Sequence, residues 1–193
     1  MNLADFQYAP ELTLPDHATL FRVQRLRSRP GTVRIRDLRV PPRGLLLGRF
    51  DLVDGEVAYF AEAPETAIYE TLARREAMTL PFETLRQRAL LTLSSSRPIR
   101  LLDLRPHAHA YPVLQSLRLE VTQGIAGQAW AAGYEGIAFR SAQQFNADCF
   151  AIFDAALRAF RMINKKRLVE PGTDALHRAV VAAIRGSQIP LVG

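Results

Sequence analysis

Apolar residues interleave with Arg22 and Arg25 through ATLFRVQRL (Ala18–Leu26), and that rhythm predicts a first strand. On either side of VRIRDLR, the stretches RSRPGT and VPPRG punctuate the chain with Pro and Gly, which predicts loop-rich, arginine-rich ground. LLLGRF (Leu45–Phe50) and VAYFAE (Val57–Glu62) read as two strands joined through DLVDGE, where Gly55 would permit a positive φ. Pro64 then takes the first position of a helix carrying ETAIYETLARRE. A strand feeding directly into a helix is a common place to mount a site.

Past Pro81 the pattern gives two more strands, RALLTLSSS and IRLLDL, split at Arg97 and Pro98. SLRLEVTQGIAGQAWAAG predicts one or two helices with Gly133 as the C-cap. EGIAFRS and DCFAIFD follow as apolar strands around AQQFNA. From Thr173, DALHRAVVAAIRG has the spacing of an amphipathic helix closed by Gly186, and SQIPLVG is expected to be a loose tail. These elements imply a single α+β domain with a central bent β-sheet flanked by helices.

At 193 residues the chain can bury the core of one domain, and its 48% apolar and 23% charged content is that of an ordinary soluble protein. It contains no run of about 18 consecutive apolar residues, so no membrane span is expected. The opening MNLADFQYAPELTLPDH has no basic segment followed by an apolar core, so a secretory signal is not expected and a cytoplasmic location is. Cys149 is the sole cysteine, which rules out an intrachain disulfide; its apolar setting in DCFAIF predicts a buried, inert thiol. The net charge of +6 suits a nucleic-acid partner or an anionic ligand.

Several motifs are silent. HAHA (His107–Ala110) puts two histidines on one face if extended, but no third ligand is near, so a surface loop and no metal are expected. Neither a phosphate-binding GxxxxGK[ST] nor a GxGxxG opens any helix. GIAG (Gly124–Gly127) suggests close helix packing, and RMINKKR (Arg161–Arg167) a solvated basic face, with no nucleic-acid partner expected for the chain alone. Glu70 lies four residues from Arg74 on the predicted helix and could form an ordinary ion pair. Tyr59 could simply pack, and Arg49 could satisfy a nearby carboxylate.

A larger pattern runs through these pieces: Arg in FRV, GRF before a turn, VAYFAE, ETAIYETL, then YEGIAFRS with NADCFAIF. In order and spacing this resembles the RES-domain family, named for its arginine, glutamate and serine, over roughly residues 18 to 155. Residues 1–17 then form an N-terminal extension, and 156–193 a C-terminal helical extension packed on the same domain. By this resemblance Arg22 is the family's first-strand arginine, Arg49 its Gly-Arg-aromatic arginine, Tyr59 its strand tyrosine and Glu70 its helix glutamate, with Ser141 completing the set. Family members often carry Trp-Asn and a Pro-Gly turn after the second arginine; here Phe50, Asp51 and LVDG stand there.

The resemblance implies an ADP-ribosyltransferase-like fold and the toxin of a toxin–antitoxin pair. Such a toxin consumes NAD by hydrolysis or by phosphorolysis with inorganic phosphate, needs no cofactor, and pairs with an Xre-type antitoxin, commonly as a homodimer. The alternatives are an ADP-ribosyltransferase that modifies a protein, and a non-catalytic nucleic-acid or partner-binding module. Cleaving the nicotinamide–ribose bond builds oxocarbenium character on the sugar. Glu70 is expected to stabilise that charge, Arg22 and Arg49 to hold pyrophosphate or attacking phosphate, Tyr59 to stack on a ring or position the ribose, and Ser141 to hydrogen-bond ribose or nucleophile.

Overall fold

The predicted strands with the longest apolar runs, in RALLTLSSS and DCFAIFD, lie inside a sheet covered on both faces, the burial that continuous rather than alternating apolarity demands. A computed structural model describes residues 10–116 and 118–193. Its elements in chain order are β1 (Glu11–Leu14), β2 (Thr19–Arg25), β3 (Val33–Ile35), β4 (Leu38–Val40), β5 (Val57–Ala61), α1 (Pro64–Thr71), β6 (Leu80–Pro81) and α2 (Phe82–Arg86). Then follow β7 (Arg88–Ser95), β8 (Ile99–Asp103), α3 (Leu119–Ala131), β9 (Gly136–Arg140), β10 (Asp148–Phe153), β11 (Phe160–Arg167), α4 (Arg178–Ser187) and β12 (Leu191–Val192).

Eight strands form the main sheet in the order β1-β8-β9-β10-β5-β2-β7-β11. Only β8 and β9 in it run parallel; the other pairs are antiparallel. One face carries Val23, Leu90, Phe139 and Cys149 against Ile68 of α1, Ile125 of α3 and Val180 of α4. The other carries Leu91, Ala138 and Ile152 under the β3–β4 hairpin and the 3-10 turns of Asp154–Ala159.

The sheet has one weak seam. β10 meets β5 along the full length of the strand and β2 meets β7 likewise, but β5 and β2 share a single Cα pair, Phe21 with Ala61. Beyond that pair the strands part, and the sheet curls into two wings.

α1 begins as expected at Pro64, with Glu65 in the first turn, but ends at Thr71 rather than continuing to Glu76. Leu72 (φ −130°) leaves helical geometry and the Leu72 and Ala73 amides both donate to the Ile68 carbonyl, which turns their side chains into the core. In α3, Gly133 takes the positive φ expected of a C-cap.

Five expectations are corrected. LLLGRF is a loop, with Leu46 at φ 49° and Leu47 exposed, because side chains and not a neighbouring strand satisfy its backbone. Gly55 does not take a positive φ; it is small because a Cβ there would meet Leu52 Cδ1 at 2.7 Å. Gly186 sits inside α4, where a Cβ would lie 2.0 Å from the Tyr69 hydroxyl, and Gln188 in the left-handed region ends the helix instead. The tail is tied, with β12 running parallel to β6 and Ile189 buried. Gly124 and Gly127 face open space and mediate no close packing.

Outside the expected core, Glu11–Leu14 pairs with β8 at one sheet edge; residues 1–9 of the expected extension lie outside the described residues. The segment after 155 is not helical alone. RMINKKR lies in β11, an exposed edge strand bulged between Met162 and Asn164. The HAHA stretch closes a 3-10 turn (Arg105–His107) and continues as a partly exposed turn outside the sheet, in keeping with the expected loop. Among the described residues no helix is long and apolar enough to cross a membrane.

Two glycines give opposite outcomes. Gly136→Ala would drive a Cβ to within 2.4 Å of the Ala151 carbonyl at the sheet centre and should destabilise by about 1–3 kcal/mol. Gly124→Ala, on an open helix face, should stabilise by roughly 0.5–1 kcal/mol through helix propensity. Urea unfolding of both variants beside the parent checks the sign of each.

Candidate functional site

Where β5 and β2 part, a cavity of about 550 Å³ opens, lined by Arg22, Arg49, Tyr59, Glu70, Arg75 and Gln143 among others. That volume falls in the range of small-molecule and cofactor sites, roughly 300–1,000 Å³. The fold therefore brings four of the expected residues to one cavity from four elements, and Ser141 stands directly behind Glu70.

Arg22 crosses the seam. Its Nη1 donates to the Tyr59 carbonyl at 2.8 Å and its Nη2 to the Arg39 carbonyl at 3.3 Å, while Nε is buried with no hydrogen-bond partner. Neither acceptor is a carboxylate. Burial pushes its pKa down to about 10, which still leaves the group charged at neutral pH.

Arg49 sits on the loop that replaces the expected strand. Its Nη1 donates to the Leu114 carbonyl at 3.0 Å, and its guanidinium carbon lies 4.7 Å from the Phe139 ring centroid, a cation–π arrangement. Asp51 shapes this loop: it accepts the Gly48 amide at 2.7 Å and the Tyr59 hydroxyl at 2.8 Å, and that hydroxyl accepts the Phe50 amide at 2.8 Å. Gln123 from α3 donates to the Leu46 and Gly48 carbonyls at 3.0 and 2.9 Å. Gly48 has no room for a side chain, since a Cβ would lie 2.3 Å from the Tyr59 hydroxyl oxygen.

The Tyr59 hydroxyl, expected to serve a ligand, is thus spent on the protein. Burial, with the Asp51 charge second, pushes its pKa well above the ordinary phenol value, so it stays a protonated donor. Its ring meets Phe139 edge-on, centroids 6.3 Å apart.

Glu70 emerges from the last turn of α1. Oε1 accepts the Ser141 hydroxyl at 2.5 Å and the Ala142 amide at 3.1 Å. Oε2 makes one loose contact, 3.4 Å from Arg49 Nη2. One carboxylate oxygen is therefore anchored and the other is lightly held. The alternative pairing with Arg74 does not form, because Arg74 Nε lies 2.7 Å from Glu76.

Ser141 follows the end of β9 and is buried. Besides donating to Glu70, its oxygen accepts the Gln143 and Gln144 amides at 3.0 and 2.9 Å, so its hydroxyl is fully engaged within the protein. Gln115 donates to the Ser141 carbonyl at 3.0 Å, and Thr66 of α1 donates to Gln144 at 2.7 Å. At the base of this loop Asp148 accepts from Arg140 and, at 2.5 Å, from Arg105, whose other donors grip Asp103 at 2.7 and 2.8 Å. Bonds to these carboxylates raise the Arg105 pKa beyond its ordinary value.

The sequence reading missed Asp51, Gln115, Gln123 and the Arg105–Asp148 pair. Asp51 had a local signal, an Asp placed to bond the amide of a nearby Gly and so close a turn. The others lie far away in sequence from what they hold. Cys149 lines the cavity yet is buried, and desolvation raises its thiol pKa far above the usual range, which suits an inert role. Among the described residues no group of three or more His, Cys, Asp or Glu is arranged to hold a metal ion.

Comparison with known proteins adds two findings. The RES domain family model matches residues 19–174, and no curated protein matches the chain. Among solved structures, the chain is similar to a chain of the crystal structure of the M. tuberculosis MbcT–MbcA toxin–antitoxin complex. The TM-score is 0.59 at 16% identity, covering 79% of this chain and 85% of that one. The likeness shows a shared fold, a single α+β domain with a curled central sheet.

Tyr59→Phe removes a donor to Asp51 and strands the Phe50 amide, and should destabilise by about 1–3 kcal/mol. Chemical denaturation reads this directly. A loss within error of zero would mean that the hydroxyl does not hold the loop.

Proposed function

Because the chain belongs to the RES-domain family, we propose that it is the NAD-cleaving toxin of a toxin–antitoxin pair. The observation that carries this reading is the state of Glu70, a carboxylate fixed through one oxygen by Ser141 and Ala142 while the other has only a loose contact at the cavity.

In the reaction, the bond between ribose C1′ and the nicotinamide nitrogen breaks. Its electron pair passes to the nitrogen and neutralises the pyridinium, and positive charge develops on the ribose. Glu70 faces that charge as a preoriented anion and accepts a hydrogen bond from a ribose hydroxyl through Oε2. Attack at C1′ by water, with loss of its proton, gives ADP-ribose; attack by a phosphate oxygen gives ADP-ribose 1″-phosphate. Ser141 acts through Glu70, as a positioning residue, and Tyr59 acts through the Arg49 loop in the same way. Arg49 sits between the carboxylate and the Leu114 carbonyl, where it balances the Glu70 charge and can swing its Nη2 to a substrate oxygen. An antitoxin that closes the cavity completes the reading.

Expression of the chain alone should arrest bacterial growth as cellular NAD falls, and purified protein should consume NAD at a rate that added phosphate raises if phosphate is the acceptor. Glu70→Gln keeps size but removes charge, and should lower turnover by about 100-fold or more while NAD still binds. Unchanged NAD in cells with confirmed expression, or full turnover in the Gln variant, would overturn the reading.

A further inference from the structure

The cavity contains more positive charge than its own carboxylates absorb. Among its lining residues Arg49 contacts Glu70 and Arg74 contacts Glu76, which leaves Arg22 and Arg75 without a carboxylate among the described residues. Arg22 has already committed two of its donors to the carbonyls of Tyr59 and Arg39 across the seam. Arg75 has committed none: its side chain is exposed and makes no hydrogen bond or ion pair among the described residues.

We propose that Arg75 is the residue that grips the phosphate groups of the cavity's ligand, a role the sequence assigns to Arg22 and Arg49. The backbone under Arg75 is not loose. Its amide donates to Gln143 Oε1 at 2.7 Å, and the Gln143 amide donates to the Ser141 hydroxyl that also holds Glu70. Base and carboxylate are thus referenced to the same three-residue turn, while the guanidinium stays free to turn toward an oxyanion. A guanidinium with all its donors available and free to turn makes paired contacts to phosphate oxygens more readily than one held in place by two carbonyls. The neighbouring Arg74–Glu76 pair is half-exposed on both sides, so it can exchange its carboxylate for a phosphate at small cost. Arg22 is then a structural strut whose charge adds a uniform attraction. The ligand class is a diphosphate with a sugar on one side, which rests on the proposed NAD chemistry for the identity of the sugar but not for the anchor.

The test uses inorganic pyrophosphate, titrated calorimetrically into the parent protein, Arg75→Gln, Arg75→Lys and, as a control for overall charge, Arg36→Gln, an exposed arginine outside the cavity lining. Pyrophosphate affinity should fall by roughly tenfold or more in Arg75→Gln and less in Arg75→Lys, and should stay near the parent value in Arg36→Gln. NAD turnover by Arg75→Gln should show a raised KM with kcat nearly intact, and turnover of nicotinamide riboside, which has no phosphate, should not change. Equal pyrophosphate affinity in parent and Arg75→Gln, or an equal loss in Arg36→Gln, overturns the assignment. Pyrophosphate binding that depends on Arg75 in a protein that neither binds nor consumes NAD supports the anchor and refutes the NAD reading, so the two stand or fall separately.

Discussion

The single Cα pair joining β2 to β5 is the constraint from which the rest of the structure follows. A sheet that stayed paired along those strands would have a continuous floor and no cavity. Parting them exposes backbone groups that lose their ladder partners, and buried carbonyls without donors are costly. Arg22 resolves this by donating to the Tyr59 carbonyl on one side and to the hairpin's Arg39 carbonyl on the other. The hairpin returns the favour, as Arg39 Nη1 donates to the Arg25 and Leu26 carbonyls at 2.7 Å, pinning it to the end of β2. A buried cation thus holds a split sheet open, and its desolvation is the cost of the cavity.

The carboxylate at the cavity is positioned by the same economy of local bonds. α1 delivers Glu70 to one wall, and the turn after β9 delivers Ser141 to receive it. That turn is held at each end: Thr66 and Gln115 grip its backbone and side chains from outside, and the Asp148 cluster ties β8, β9 and β10 together beneath it. Most of these bonds join a side chain to a backbone group or to a charged partner. Such contacts fix orientation more tightly than apolar packing, and they cost little reorganisation when charge appears in the cavity.

Much of this architecture was legible in the sequence where local chemistry decides it. The strand at Ala18–Leu26, the helix opening at Pro64, the cap at Gly133 and the apolar strands around AQQFNA each formed near where periodicity and punctuation place them. LLLGRF misled because its apolar run has strand propensity, and only the distant Gln123 and the Tyr59–Asp51 pair make a loop cheaper. Gly186 misled because glycine commonly ends helices, whereas here it makes room for Tyr69 from another helix. Arg22, Arg49, Tyr59 and Glu70 line one cavity. What their order in the chain could not convey is which donors each residue has already spent, since that depends on carbonyls and carboxylates brought together only by the fold.

Gly48, Asp51 and Tyr59 form a closed arrangement whose members limit one another's replacement. Any side chain at Gly48 collides with the Tyr59 hydroxyl and with Asp51 Oδ1, 2.6 Å from a Cβ there. Dropping the hydroxyl to make room leaves the Phe50 amide and the Asp51 carboxylate short of a partner. A change at Gly48 therefore produces a clash, and a change at Tyr59 or Asp51 leaves a polar group short of its partner. Room, donor and acceptor in this loop come from three different residues, so the tolerance of any one position is set by the other two rather than by its own exposure.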